Sequence, residues 1–342
     1  MAMLFLIPKY APKAHHQRFK ILLALVPLLA GLGHSFAAET TLPPFTTVIA
    51  ANHPLIGQIY DVRSGDAVSA DQLADALVKA DHVFLGEKHD NPDHHAVQAW
   101  AFDAMLAAGR RPALLYEMIG EDQQLAIETH RQSGQSMENL GEVLDWENSG
   151  WPDWAHYAPM AISADNLKLP ILGANLPKAL IRKVYTDGAD ALGADRAERL
   201  NLNKALPTPL ADAMLDDVET GHCGLMPRKA LGPMVMVQRA RDSLMADNML
   251  KAGQSADGAV LIAGNGHARK DHGVPWVIGQ LNPGLSSLSL SLIEVQDDLI
   301  NLDDYREMFG SSLPFDFVLF TPRANDRDYC AELKASMGKK EN

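Results

Sequence analysis

Two short stretches of the chain place carboxylate and imidazole side chains where they can do chemistry. They are Leu-Gly-Glu-Lys-His-Asp-Asn-Pro-Asp-His-His at 85–95 and Gly-Asn-Gly-His-Ala-Arg-Lys-Asp-His-Gly-Val-Pro at 264–275. Glu87 and His89 stand two residues apart, so on extended chain their side chains leave the same side. A carboxylate beside an imidazole can fix the ring's tautomer, act as a general base, or share a metal ion with it. His267 follows Gly264-Asn-Gly, where glycine lets another group approach the backbone closely. Glu117 comes directly after the apolar run Pro112–Tyr116. Glu87, His89, Glu117 and His267 thus form a candidate catalytic set and, by the same donor chemistry, a candidate site for a divalent metal ion.

What must position these residues is a sheet. His82–Leu85 and Ala259–Ala263 are apolar runs of strand type, each leading straight into one of the two stretches. In an open parallel sheet, ligands gather at the carboxyl ends of the strands, so three strand tips predict one cleft. Further strands are expected at 57–62, 169–174, 287–295 and 315–320. Ser69 and Gln72 form a capping box opening a helix through Lys79. Asp93 is expected to cap a second helix, carrying Val97, Trp100, Ala101 and Met105, which Gly109 stops. Residues 177–253 read as almost wholly helical, with breaks at Pro207–Pro209 and His222–Pro227. Strand–helix alternation at both ends of a helical middle predicts an α/β fold. Its central sheet is mostly parallel and flanked by helices, in a single domain over 38–342 with a helical insertion at about 120–253.

The first 37 residues read as a secretory signal peptide. Lys9, Lys13, Arg18 and Lys20 precede an apolar core from Ile21 to Leu32, and Ser35-Phe36-Ala37 supplies a cleavage site before Ala38. A periplasmic destination follows, and no cysteine near the cut invites a lipid anchor. The formal net charge of −13 becomes more negative once the four leader cations are removed, which disfavours nucleic acid and anionic membranes as partners. Cys223 and Cys330 are the chain's two cysteines; a disulfide between them is chemically allowed in an exported protein. The thiol of Cys223 beside His222 is alternatively a soft ligand pair for iron or zinc. No spacing matches a closed zinc site, a glycine-rich phosphate loop or a Gly-x-Ser-x-Gly nucleophile turn.

Trp146, Trp151, Trp154 and Tyr157 make the densest aromatic cluster, with Trp154 and Tyr157 on one helical face. Such a face either packs on the sheet or lines a pocket for a flat ligand. Tyr116 points away from the Glu117 side of its strand and is expected in the core. Arg269, Lys270 and His272 form a local cationic patch suited to a carboxylate. Of His94 and His95, on a first helical turn, one can face the cleft.

Several of these motifs recur in order: LGEKHDNPDHHAVQ, Tyr116–Met118, GWPDWAHYAP at 150–159, HCG at 222–224, QRARDSLMA at 238–246 and IAGNGHARKDHGVP. Together they resemble the ChaN-like haem-binding family of the Tiki superfamily, over roughly Leu42 to Leu281. The resemblance implies a bacterial envelope protein of haem or iron uptake, binding haem through a tyrosine, at a homodimer interface, with an outer-membrane or periplasmic uptake system as partner. Carried onto this chain, it makes Tyr157 the iron ligand on the Trp154 face, with Arg269 or His95 meeting a propionate. Tyr60 and Tyr185 stay open as ligands. The wider superfamily resembles metal-dependent proteases and erythromycin esterases. That resemblance implies an alternative, a metal-dependent hydrolase in which Glu87 or His89 activates water and Glu117 and His267 bind metal or position the acyl group.

Overall fold

The computed structural model describes residues 41–310 and 312–338; the expected leader at 1–37 lies outside them. Eight strands are described: β1 (Ile59–Asp61), β2 (Ala67–Val68), β3 (His82–Glu87), β4 (Ala113–Gly120), β5 (Ile171–Asn175), β6 (Ala259–Gly264), β7 (Ser287–Glu294) and β8 (Phe317–Thr321). They form one sheet in the order β2-β1-β8-β7-β3-β6-β4-β5. The six strands from β8 to β5 run parallel, and β1 and β2 add an antiparallel edge. β3 sits between β6 and β7 and is buried at every residue, as expected for a strand covered on both faces.

Helices close both faces. Leu85, Leu114, Tyr116 and Ile262 face one core with Phe102 and Met105 of helix Pro92–Ala107 and Tyr157 of helix Trp154–Asn166. Phe84, Leu115 and Leu261 face the other with Met245 and Met249 of helix Gly232–Gly253. A smaller cluster of Leu176, Val184, Leu200, Ala240 and Leu244 joins the helices of the middle region. β5 lies inside the stretch expected as a helical insertion, so the helices between 121 and 253 fall into two groups on either side of an edge strand.

Local signals act as their chemistry dictates, with one exception. Ser69 and Gln72 form the reciprocal capping box of helix Ala70–Lys79, and Gly109 takes a left-handed φ of 89° beyond the second helix. The cap of that second helix is Asn91, whose side chain accepts the Asp93 N–H at 2.9 Å; Asp93 is not the cap. The Asp93 carboxylate, buried, instead takes four donors from the lead-in: the backbone N–H groups of Thr46 (2.7 Å) and Thr47 (3.0 Å) and both threonine hydroxyls. Burial works against that charge, but the threonine donors outweigh it and hold the carboxyl below its ordinary range.

Asp93→Ala should therefore cost on the order of 2–4 kcal/mol, because four donors lose one acceptor. A urea midpoint shift checks it, together with faster proteolysis of 41–48. Val48→Ala, at a side chain 77% exposed, should leave both unchanged.

Candidate functional site

Glu87 is the last residue of β3, and its carboxylate is enclosed by three side chains from three elements. Oε1 accepts the Nδ1–H of His89 at 2.7 Å and the hydroxyl of Tyr157 at 3.1 Å. Oε2 forms an ion pair with His95 Nδ1 at 2.9 Å. His95 also donates from Nε2 to the His89 carbonyl at 2.8 Å; burial works against its charge, but the neighbouring Glu87 carboxylate holds its pKa above the ordinary imidazole value. Burial would raise the Glu87 pKa, but the imidazoles of His95 and His89 outweigh it and bring it down to about 2.

Glu117 lies on β4 just past Tyr116, where the pairing of β4 with β5 shifts register. Its Oε2 accepts the Gly264 N–H at 2.7 Å, and its Oε1 accepts from the Arg241 guanidinium and lies 3.3 Å from His267 Nε2. His267 Nδ1 meets Asp242 at 2.5 Å. Burial would lower the His267 pKa, yet Glu117 and Asp242 together raise it to about 9. The two halves of the site touch at His89, whose Nε2 stands 4.0 Å from Glu117 Oε2. Gly264 makes this possible, since a Cβ there would stand 2.8 Å from His89 Nε2.

The four residues expected to converge do so at the carboxyl edge of the sheet. Of them His89 alone is substantially open, with 31% of its side chain accessible, facing a cleft of about 500 Å³ beside Lys88, Asn265 and Arg269. A free imidazole edge oriented by a buried carboxylate is an acid–base arrangement. A divalent metal on Glu87, His89, Glu117 and His267 does not fit. Arg241 already occupies Glu117, and both ring nitrogens of His267 are turned to carboxylates, Nε2 to Glu117 and Nδ1 to Asp242. Among the described residues no group of three or more His, Cys, Asp or Glu side chains is arranged to hold a metal ion.

Three expectations about a flat ligand change as well. Tyr157 is fully enclosed, donates its phenol proton to Glu87, and has its pKa pushed far up by burial and by that carboxylate; a tyrosinate ligand needs the reverse. Trp154 packs on Trp146 at 4.9 Å and bonds the Met137 carbonyl, so this aromatic face is core. His95 is committed to Glu87, and Arg269 to Asp217 (2.8 Å) and Asp271 (2.7 Å), which leaves neither for a propionate. Cys223 is bonded to Cys330, so its thiol ligates nothing. Tyr116 is buried as expected and donates to the Tyr157 carbonyl at 3.0 Å.

A second cavity, of about 820 Å³, opens between the helices Lys178–Asp187, Thr208–Gly221 and Gly232–Gly253. Its wall is largely apolar, with Ile181, Met214, Met234 and Val237, and carries Tyr185 and His222. Gly266 and Arg269 border both this cavity and the strand-tip cleft. Arg182, three residues before Tyr185, stands exposed on its edge with no ion pair among the described residues. The sequence reading missed Arg182, Arg241 and Asp242. For the last two the available signal was a charged pair in a helix that turns out to be packed against the sheet.

The raised pKa of His267 has a stability consequence. Its contribution is full below the ordinary value of 6.5 and is lost as pH rises through about 9. The melting temperature should fall across that window. His267→Gln should start lower and show a flatter decline; an equally steep decline in the variant would assign the titration to another group.

No curated protein sequence matches the chain. Among solved structures it is similar to ChaN of Campylobacter jejuni, whose structure shows cofacial haem binding, with 22% identity, a TM-score of 0.57, and coverage of 77% of this chain and 95% of that one. It also matches a mutant of the erythromycin esterase EreC in its open conformation, at 14% identity and a TM-score of 0.40, covering 76% and 95% of the two chains. The family described as haem-binding uptake, Tiki superfamily, ChaN, matches residues 73–278. With more than half of its length matched, the chain belongs to that haem-binding uptake family.

Proposed function

We propose that this chain is an exported protein that takes up haem in the apolar cavity between its middle helices and serves bacterial haem or iron uptake. The cavity carries the reading. Haem needs an apolar enclosure, a side chain able to bind ferric iron and cations for its propionates, and a volume of about 820 Å³ is in the range of small-molecule sites. Tyr185, 42% exposed on that wall, replaces Tyr157 as the phenol able to reach iron; a phenolate is a hard anionic ligand that suits the ferric state. Arg182 on the same helix, without an ion pair among the described residues, is a cation available to a propionate. The leader-like residues 1–37 and the Cys223–Cys330 disulfide support an oxidising, extracytoplasmic location. A second copy covering the open mouth at Tyr185 would give the homodimer that the family resemblance implies.

The test uses protein purified from a bacterial envelope fraction, whose N-terminus should read Ala38. Haemin titration followed by visible absorbance should show binding. Tyr185→Phe should weaken it by about tenfold or more, the loss of one iron ligand. Tyr157→Phe should leave haemin binding intact and lower the melting temperature, because Glu87 loses a donor. Wild-type protein that takes up no haemin would sink the haem reading.

The Glu87–His89 pair favours a second reading, a metal-free hydrolytic centre in the strand-tip cleft. There His89 Nε2 would take the proton of an attacking water, with Glu87 holding the ring. Such an activity should fall about a hundredfold in His89→Gln and survive a chelator. A panel of esters and peptides turned over equally by wild type and His89→Gln would eliminate it.

A further inference from the structure

The cavity wall formed by helix Thr208–Gly221 is held from outside in an unusual way. Only Met214 of its residues is fully buried. Its polar tie to the sheet side is Asp217, which meets Arg269 Nη1 at 2.8 Å and His272 Nε2 at 2.7 Å; at the surface Arg228, in the turn that follows, pairs with Asp216 and with Glu219 (2.8 Å). Just past its end, Cys223 is bonded to Cys330 across 107 residues of sequence. Cys330 is the second residue of the C-terminal helix Tyr329–Gly338. The chain leading into that helix is fastened to the loop beyond Glu87: Asn325 donates to Asp90 at 2.9 Å, the Tyr329 hydroxyl donates to Asp90, and Lys88 Nζ lies 5.1 Å from the Tyr329 ring. The disulfide therefore ties the thinly packed wall of the apolar cavity to the strand-tip loop of the sheet.

We infer that the Cys223–Cys330 disulfide is a latch on the cavity, and that its reduction by a dithiol, the class of group that thiol–disulfide exchange proteins present, frees the wall and releases the bound haem. The release half rests on the haem reading above; the latch half does not. Cys330 is exposed and Cys223 half-buried, so a thiolate can reach the bond. A thiolate of the reductant attacks Cys330 Sγ, Cys223 Sγ leaves and takes up a proton, and the reductant's second thiol resolves the mixed disulfide. Two protein thiols and one reductant disulfide result, a two-electron exchange. Breaking the link removes the constraint on a loop of 107 residues and leaves the wall to one buried methionine, the Asp217 ion pairs and the surface pairs of Arg228, which are exposed to water and weak. His222 goes with it. Its Nδ1 contacts the Val218 carbonyl at 2.7 Å, which leaves Nε2 as a lone pair on the wall, and that ring sits next to the latch.

Hydrogen exchange measured by mass spectrometry on the haem-free protein decides the latch. On treatment with a dithiol, and in Cys330→Ser without it, peptides from 208–224 should exchange at least about tenfold faster, while those of β3 and β6 stay protected. Cys223→Ser should reproduce the change from the other sulfur. Unchanged exchange in 208–224 overturns the latch, and loss of protection throughout the sheet overturns it too, because the bond then serves global stability. Transfer of haemin to apomyoglobin decides the release: about tenfold faster from reduced protein supports it, and an unchanged rate overturns it. Oxidised protein that binds no haemin would refute the haem reading, with the latch still judged by exchange.

Discussion

A charged carboxylate with no access to water stands at the end of the central strand, and the neighbouring elements are arranged around satisfying it. Glu87 takes donors from the loop after β3 (His89) and from helix Trp154–Asn166 (Tyr157), and an ion pair from helix Pro92–Ala107 (His95). Breaking a buried pair by removing one partner generally costs about 3–5 kcal/mol, since the remaining charge is left uncompensated. That cost ties the position of two helices and one loop to a single side chain. It also explains why the aromatic segment is core: Tyr157 must reach inward to Glu87, and Trp146 and Trp154 pack around it.

Across the cleft, Glu117 repeats the pattern with Arg241, His267 and the Gly264 N–H. The two networks leave one imidazole edge, that of His89, facing the cleft. Charge neutralised from within is the reason these carboxylates leave little room for a metal ion. The cavity next door is a different environment, with a wall largely of methionine and aliphatic side chains, and it shares Gly266 and Arg269 with the polar cleft. One fold thus presents a polar site built on strand tips and an apolar site built between helices. Their chemistry is compatible with separate tasks.

The strand-tip site was legible because strands have a short period and a direction. An apolar run followed by Glu87-x-His89 or Gly264-x-x-His267 can only put those side chains at the carboxyl edge of a parallel sheet. The second site was not legible, because the helices between 178 and 253 pair by packing, and nothing in their local spacing says which faces meet around a cavity. Arg182 and Tyr185, three residues apart on one helix, read locally as an ordinary exposed turn. Asp93 was misread for a related reason. Its spacing suits a helix cap, but Asn91 took that role and Asp93 was claimed by threonines far away in sequence.

The sequence by itself determined the α/β class, the parallel strands, the convergence of Glu87, His89, Glu117 and His267, and, through linked motifs, the family. The first three follow from periodicity, strand direction and residue chemistry, all of them local; the family follows only from the resemblance that the linked motifs carry. Only the tertiary structure decided which partner each charge would have: Arg241 rather than a metal on Glu117, Glu87 rather than iron on Tyr157, Cys330 rather than a ligand on Cys223. Partner choice depends on desolvation and on distances between elements far apart in the chain, and neither is encoded in the spacing of neighbouring residues.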